Sequence, residues 1–572
     1  MSPTANIQKL PRHYLPANFA VTDWAALEPF FQELLDRPLH SKADLEKWLH
    51  DSSELEAAIS EDACWRQIKM TCDTENEALE KAFEFFVMEI QPRIQPMADA
   101  LNKKLLQCSY TAELDAQQYH TYLRSVQKNI DLFREANIPL HAELGVLQQQ
   151  FGQITGRMTI QHQGQEYTLQ QAARFLQSKD RSEREAVYRK IQERRLQDKA
   201  ALNELYSQLV AKRQQVALNA GFANYRDYKF KELGRFDYTP ADCEQFHAGV
   251  KQHVLPLVED IYQHKQQALG VDTLRPWDLE AEPADLEPLR PFSHGDELLQ
   301  KSIAVLEKLD PFFADCFRTM QRMGHFDLES RKGKAPGGYN CPLAESGAPF
   351  IFMNAAGQMD DVTTMVHEGG HAVHSFLAHP LPLTAFKEYP MEIAEVASMA
   401  MELFTMDHWQ PFFANEAELK RAKLHQLERS ITIFPWIATI DKFQHWVYTH
   451  PTHTLDERAD AWLSILNEFS TRTLDTSGLE GYRQYSWQRQ LHLFEVPFYY
   501  IEYGIAQLGA IGLWMQYKQD PKAALQHYMQ ALSLGGTKTL PELYQAAGLR
   551  FDFSPAHIQQ LMLFVKSEME KL

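Results

Sequence analysis

Apolar residues recur at intervals of three and four positions along most of the 572-residue chain. The repeat is clear over 24–49, 76–106 and 115–137, and helical patterns return beyond residue 360. Residues spaced in this way share one face of an α-helix, which can then pack against a neighbouring helix. Residues 182–218 are rich in Glu, Arg, Lys, Gln and Ala, which favour a helix. The sequence therefore predicts a mainly helical fold, with one long helix at 182–218.

Two segments depart from the helical pattern. Residues 156–169 alternate apolar and polar side chains around Gln163-Gly164, which predicts a small hairpin. Residues 350–353 form a short apolar run that follows a stretch rich in glycine and proline. Such a run predicts a single buried strand.

The length of the chain indicates more than one domain. A single hydrophobic core stops growing at roughly 250–300 residues, and this chain is about twice as long. No internal repeat divides it. We predict a helical N-terminal domain at 1–200 and a second domain at 201–572, which carries the residues with recognisable chemistry.

Composition excludes several classes of protein. The formal net charge is −19, so the long-range field repels nucleic acid and anionic membrane surfaces. The six cysteines are scattered without a paired spacing, as expected for reduced thiols. No apolar run reaches the roughly 18 residues that a membrane span needs, and residues 1–19 lack a signal-peptide pattern. We expect a cytoplasmic protein that binds neither nucleic acid nor membranes.

The most informative motif is His367-Glu368-Gly369-Gly370-His371. Residues four apart on a helix share a face, so His367 and His371 can hold one Zn²⁺ from the same side. Glu368 lies at the flank, where its carboxylate reaches a water beside the metal. The glycine pair opposes helix formation at roughly 1 kcal/mol each, a conflict expected where close approach matters more than propensity. The alternative is a chance string on a buried amphipathic helix.

A catalytic zinc site needs a third protein ligand, and an apolar helical segment at 391–402 offers three carboxylates. Glu395 follows His371 by 24 residues, which is enough for a turn and a returning helix. Glu392 lies one turn earlier and Glu402 two turns later, and both are alternatives. Glu402 also suits a different role, in which it accepts a hydrogen bond from the second ring nitrogen of a ligand histidine. The spacing favours Glu395 as the ligand.

A second candidate group contains His492, Tyr499, Tyr500 and Tyr503. If a helix begins at Pro497, Tyr499 and Tyr503 share a face and Tyr500 lies to the side. Phenol O–H and imidazolium N–H groups can stabilise an oxyanion that develops in a transition state. The alternative is an aromatic stripe in the core.

These motifs resemble a known family. Residues 361–375 are similar to the zinc helix of the oligoendopeptidase F and thimet oligopeptidase family, and residues 394–398 to its third-ligand motif. The likeness extends to three further segments, 221–238, 349–354 and 492–506. The resemblance implies a mainly α, two-lobed metallopeptidase with a deep central channel and a small β element beside the zinc helix.

By this resemblance, His367, His371 and Glu395 are the zinc ligands and Glu368 is the general base. We therefore expect a zinc-dependent oligoendopeptidase, with one Zn²⁺ per chain, that hydrolyses internal bonds of short peptides. The strand at 350–353 could pair its edge with the peptide backbone. The alternatives are a helical zinc carboxypeptidase or dipeptidyl carboxypeptidase, and a metal- or peptide-binding protein without turnover. The presence of Glu368 argues against the last, because a site that only binds has no need of a base.

Overall fold

The structure is a computed structural model, and it describes residues 5, 7, 9, 11–331, 333–335 and 337–572. Helices account for most of these residues, which confirms the prediction of a mainly helical fold. Across the described ranges, no helix is both long and apolar enough to cross a membrane.

In chain order the α-helices are α1 (Trp24–Asp36), α2 (Lys42–Cys72), α3 (Glu77–Phe85), α4 (Gln91–Gln107), α5 (Ala116–Leu132), α6 (Asn137–Gly156), α7 (Leu169–Ala173), α8 (Arg181–Gln197), α9 (Lys199–Asn219), α10 (Tyr225–Glu232), α11 (Pro240–Gly249), α12 (Leu255–Leu269), α13 (Gly295–Leu309), α14 (Pro311–Met323), α15 (Met359–Ala378), α16 (Thr384–Lys387), α17 (Met391–Thr405), α18 (Glu416–Thr449), α19 (Leu455–Glu468), α20 (Glu480–Arg483), α21 (Leu491–Glu495), α22 (Tyr500–Gln519), α23 (Pro521–Ser533), α24 (Leu540–Ala546) and α25 (Pro555–Met569). The strands are β1 (Thr159–His162), β2 (Gln165–Thr168), β3 (Phe326–Glu329), β4 (Tyr339–Cys341) and β5 (Phe350–Ala355).

The chain folds into two compact units, and each unit is assembled from separate segments. Unit 1 comprises Met1–Phe133, Leu289–Lys423 and Ala506–Phe551. Unit 2 comprises Arg134–Pro288, Leu424–Ile505 and Asp552–Leu572. The sequence-based division into domains at 1–200 and 201–572 stays a prediction, and so does the central channel.

Unit 1 contains a cluster of buried apolar side chains contributed by its N-terminal helices. Asp23 begins α1 and Ser41 begins α2, because each side chain accepts a hydrogen bond from a backbone N–H of the first turn. Trp48 of α2 is 2% exposed, and its indole N–H donates to the Leu34 carbonyl oxygen at 2.9 Å. The polar atom of this large side chain is thus satisfied inside the core.

A three-stranded sheet in unit 1 has the order β3-β5-β4. β5 confirms the strand predicted at 350–353, but it lies in the centre of the sheet. It pairs in parallel with β3 and antiparallel with β4. The expectation that β5 offers its edge to a peptide is therefore wrong, because its backbone groups already pair on both sides, and the edges belong to β3 and β4.

Unit 2 contains the predicted hairpin, in which β1 pairs with β2 around Gln163-Gly164. Both turn residues have positive φ, at 49° and 78°, as a tight two-residue turn requires. The helix predicted at 182–218 is instead two helices, α8 and α9, which are interrupted at Asp198. A break of one residue leaves the helix-favouring composition of the segment unchanged, so composition does not reveal it.

Candidate metal centre

The His-Glu-Gly-Gly-His motif lies on α15 in unit 1. Asp361 fixes the start of this helix, because its carboxylate accepts the backbone N–H groups of Ala356 and Gln358 at 2.8 Å each. The apolar face is fully buried at Val362, Met365 and Val366. The core therefore holds the helix in a fixed orientation, in spite of its two central glycines.

The glycine pair allows two neighbouring elements to approach α15 closely. A Cβ on Gly370 would lie 2.4 Å from the Ala397 carbonyl oxygen of α17, nearer than real Cβ atoms come. A Cβ on Gly369 would lie 2.8 Å from the ring of Phe317. The two glycines that oppose helix formation therefore let α17 and α14 pack closely against the motif. This agrees with the expectation that close approach matters more than helix propensity here.

His367, His371 and Glu395 converge on one point between α15 and α17. Their candidate ligand atoms all lie within 4.8 Å of one another. The Nε2 atoms of His367 and His371 lie 3.5 and 3.7 Å from Glu395 Oε2. Two ligands bonded to one Zn²⁺ at tetrahedral angles lie roughly 3.3 Å apart, given bonds of about 2.0–2.1 Å. Two imidazoles and one carboxylate at this spacing fit a zinc ion with a position left for water.

Two further side chains orient the candidate ligands. Glu402 Oε1 lies 2.7 Å from His367 Nδ1, the ring nitrogen that faces away from Glu395. The Ser398 hydroxyl donates to Glu395 Oε2 at 3.1 Å. A carboxylate behind a ligand imidazole fixes its tautomer and raises its basicity. Glu402 therefore lies where the sequence placed it as an orienting residue, whereas sequence reasoning missed Ser398.

Burial alone does not separate the rival carboxylates of α17, since Glu392 and Glu395 are 5% and 3% exposed. Position does separate them. Within the part of the chain that the structure describes, Glu395 joins the two histidines in a group of ligand atoms, and Glu392 is not in that group. Burial, and to a lesser extent the charge of the Glu392 carboxylate, raise the pKa of Tyr544.

Glu368 and His371 have pKa values set by burial. Burial raises the pKa of Glu368 to about 7, so this carboxyl exchanges a proton readily near neutral pH. Burial lowers the pKa of His371 to about 4, which keeps its imidazole neutral, the form that binds a metal. The backbone carbonyl oxygen of Glu368 accepts a hydrogen bond from the side-chain amide of Asn340, a residue of β4, at 3.2 Å. This bond ties the edge strand to the motif.

The structure also brings the predicted tyrosine and histidine group together, within unit 2. The ring centroid of His492 lies 6.1, 4.9 and 5.8 Å from those of Tyr499, Tyr500 and Tyr503. Gln490, which sequence reasoning missed, pairs its side-chain amide with His492 Nδ1 at 2.7 Å. The four predicted residues therefore form one polar aromatic cluster.

The helix predicted to begin at Pro497 begins at Tyr500 instead. Phe498 has a φ of 66°, which is strained for a residue with a Cβ and interrupts the helix. Its backbone N–H donates to Gln444 Oε1 at 2.6 Å, and its carbonyl oxygen accepts from Arg235. These two buried hydrogen bonds hold Phe498 in a backbone conformation that the local sequence does not predict.

Comparison with known proteins gives matches over most of the chain. A model described as peptidase family M3 matches residues 174–563, and one described as the peptidase M3 N-terminal domain matches residues 15–133. An oligoendopeptidase F homolog of Lactococcus lactis subsp. lactis is 23% identical over 340 residues, or 57% of this chain and 53% of that protein. The chain spans about half the length of the first curated relatives it matches.

Solved structures match over nearly the whole chain. A crystal structure that carries the provisional name oligoendopeptidase F is 27% identical and superposes with a TM-score of 0.90. The match covers 97% of this chain and 98% of that one. PZ peptidase A, solved with an inhibitor, has a TM-score of 0.90 at 24% identity and covers 99% of both chains, which shows a shared fold.

Proposed function

The chain belongs to peptidase family M3, and we propose that it is a zinc-dependent oligoendopeptidase. Membership of this family confirms the resemblance seen in the sequence. The observation that carries the proposal is the convergence of His367, His371 and Glu395, with the buried carboxyl of Glu368 on the same helix. A site that only bound metal would not need that carboxyl. The cytoplasmic location stays a prediction.

The proposed chemistry assigns one catalytic Zn²⁺ to the three ligands. When bound, zinc would lower the pKa of a water from 15.7 towards about 7 and polarise the scissile carbonyl. The Glu368 carboxylate takes a proton from the attacking water and delivers it to the leaving amine nitrogen, so the carboxylate is regenerated in each turnover. Glu402 and Ser398 keep His367 and Glu395 in their binding orientations.

The cluster of His492, Tyr499, Tyr500 and Tyr503 is the proposed source of hydrogen-bond donors to the oxyanion. Burial raises the pKa of Tyr500 to about 12, so its hydroxyl keeps its proton at neutral pH and remains a donor. Support for the role comes from the close grouping of the four rings and from the resemblance to the family's tyrosine-rich segment. Single Tyr→Phe variants should lower kcat more than they raise KM, because the oxyanion exists only in the reacting complex.

The proposed substrate is a short peptide bound as a strand. β4 is an edge of its sheet, and the Asn340 bond links it to α15. An extended peptide that pairs with this edge is read through its main chain, so many sequences would bind. The strand proposed to pair with the peptide is therefore β4, and not β5 as expected from the sequence.

Cleavage of blocked peptides tests the proposal. A set of peptides of graded length is acetylated at the N-terminus and amidated at the C-terminus, and products are identified by mass. An oligoendopeptidase cuts the doubly blocked peptides at internal bonds. The alternative, a carboxypeptidase or dipeptidyl carboxypeptidase, needs the free C-terminal carboxylate and would cut only the unblocked set. Turnover of neither set by zinc-loaded protein would favour a binding protein instead.

A further inference from the structure

A second group of side chains that could hold a metal ion lies in unit 2, on the helices α11 and α18, which carry none of the residues assigned to the peptidase chemistry. It consists of Cys243, Asp441 and His445, whose candidate ligand atoms all lie within 4.8 Å of one another. The three residues are 1%, 0% and 8% exposed. Three groups with high affinity for metal are therefore held together where water hardly reaches them.

Two helices deliver this group, and each does so with residues four positions apart. α11 carries Cys243 and His247, and α18 carries Asp441 and His445. Residues at this spacing share a helix face, which is also how α15 presents His367 and His371. The face of α11 with Cys-x-x-x-His thus meets the face of α18 with Asp-x-x-x-His.

Asp441 Oδ2 lies close to two histidines but forms a hydrogen bond with only one of them. His247 Nε2 and Asp441 Oδ2 form a hydrogen bond at 2.9 Å. His445 Nε2 lies 3.2 Å from the same oxygen, but the geometry is not that of a hydrogen bond. Two ligands of one tetrahedral Zn²⁺ lie at about this separation, roughly 3.3 Å.

Three buried polar atoms of Asp441 and His445 have no hydrogen-bond partner among the described residues. Neither ring nitrogen of His445 makes a hydrogen bond, and neither does Asp441 Oδ1. The rings of Phe230 and Phe498 pack against His445, with centroids 5.8 and 5.3 Å away, so apolar groups surround the imidazole. Buried polar atoms normally have partners, and a set of three without them calls for a ligand.

We propose that Cys243, Asp441 and His445 bind a second Zn²⁺ and that His247 orients Asp441 through its hydrogen bond. The cysteine binds as a thiolate and releases its proton to solvent. One thiolate and one carboxylate balance the two positive charges of the ion, which suits a fully buried site. Thiolate, imidazole and carboxylate are all zinc ligands, and the thiolate disfavours magnesium and calcium.

The proposed metal would join α11 to α18 and so support unit 2, without a part in peptide hydrolysis. It raises the expected zinc content from about one to about two ions per chain. The alternative is a metal-free network, in which Asp441 forms an ion pair with one protonated histidine. The two cases differ in metal content and in the presence of a bond from sulfur to metal.

Cobalt substitution tests the proposal through that sulfur. The full-length protein is stripped with a chelator and loaded with Co²⁺, and its near-ultraviolet absorption is recorded. A thiolate ligand gives an intense charge-transfer band, whereas two histidines and a glutamate, the proposed catalytic set, give none. We expect the band in the wild type and in a His367→Ala/His371→Ala variant, which separates this proposal from the peptidase site.

Cys243→Ala should lose the band and one zinc equivalent, measured by elemental analysis, while Cys316→Ala should keep both. Cys316 is a matched control, because it is 0% exposed and lies on α14 in unit 1. If Cys243→Ala does not fold, the wild-type spectrum and zinc content decide. A wild type without the band, or with one zinc that disappears in the His367→Ala/His371→Ala variant, would overturn the proposal in favour of the ion pair.

Discussion

Two glutamates one turn apart on α17 offer a test of the third ligand. Glu395 Oε2 lies 3.5 Å from His367 Nε2, whereas Glu392 is not in the group of candidate ligand atoms found among the described residues. We predict that Glu395→Gln loses the catalytic zinc equivalent, because an amide oxygen is a weaker ligand than a carboxylate. Glu392→Gln should keep the zinc, and since both residues are buried on the same helix it controls for lost charge. Elemental analysis of the dialysed variants distinguishes them, and zinc loss in Glu392→Gln alone would reverse the assignment.

Glu368 of α15, the proposed general base, is tested by substitution. Glu368→Gln is nearly isosteric, so it should fold and retain zinc while its turnover falls by about 10²–10⁴-fold, the usual contribution of a general base. Asp360→Asn removes an exposed carboxylate in the first turn of the same helix and should leave the rate nearly unchanged. Peptide cleavage rates and zinc content are measured on both variants. If Glu368→Gln keeps more than about a tenth of the wild-type rate, Glu368 is not the general base.

At the scale of elements, the packing of α15 on α17 positions all three candidate ligands. Gly370→Ala would place a Cβ 2.4 Å from the Ala397 carbonyl oxygen, so the helices must separate. We predict a loss of about 1–3 kcal/mol in the free energy of unfolding, as for other overpacked sites, together with weaker zinc binding. Gly145→Ala is the control, because this glycine lies within α6 and a Cβ added to it would meet no neighbouring group within 4 Å.

The two glycine variants should shift stability in opposite directions. Gly145→Ala should stabilise the protein by about 0.4–1 kcal/mol, since it restricts the unfolded chain without a clash. Denaturant unfolding and zinc titration of both variants give the comparison. Equal stability of Gly370→Ala and the wild type would mean that close helix approach is not what requires glycine at this position.

The elements that the sequence predicted well are those whose signal is local. The helices α15 and α17 and the strand β5 follow from apolar spacing and from turn residues within a short window. The position of β5 in its sheet depends on β3 and β4, and such pairing has no local signal. The start of α22 depends on Phe498, whose positive φ is held by Gln444 and Arg235, residues distant in sequence.

The candidate sites show the same limit. The candidate residues His367, Glu368 and His371 could be proposed because four-residue spacing on one helix is visible in the sequence. Ser398 and Gln490 could not be found, because an orienting serine or glutamine resembles any polar residue until its partner is known. The group around Cys243 was missed because Cys243 and Asp441 lie about 200 positions apart in the sequence, and neither helix alone carries a zinc motif.

At the scale of the whole molecule, each unit is built from three segments that are separated in the sequence. Periodicity shows which face of a helix is buried, but not which distant helix covers it, so this division could not be predicted from the sequence. The net charge of −19, by contrast, follows directly from the sequence. A negative field of this kind attracts cationic substrates and repels anionic ones, more strongly at low ionic strength.

The state of the substrate provides the last prediction. A peptide that pairs with β4 must be extended, and an amide inside a helix or sheet already has its carbonyl engaged. One cleavable sequence is therefore presented in three forms: as a peptide of about ten residues, within a long unfolded protein, and within a stable folded domain. We expect rapid cleavage of the short peptide, slower cleavage of the unfolded protein and none of the folded domain. Rates are measured by mass spectrometry at equal molar concentration of the cleavable bond, with Glu368→Gln as the inactive control.

Because pairing through the main chain tolerates many side chains, a second peptide of scrambled sequence and equal length should also be cut. Efficient cleavage inside the folded domain would mean that the enzyme does not require an extended free peptide, and the oligopeptidase proposal would give way to that of a general protease.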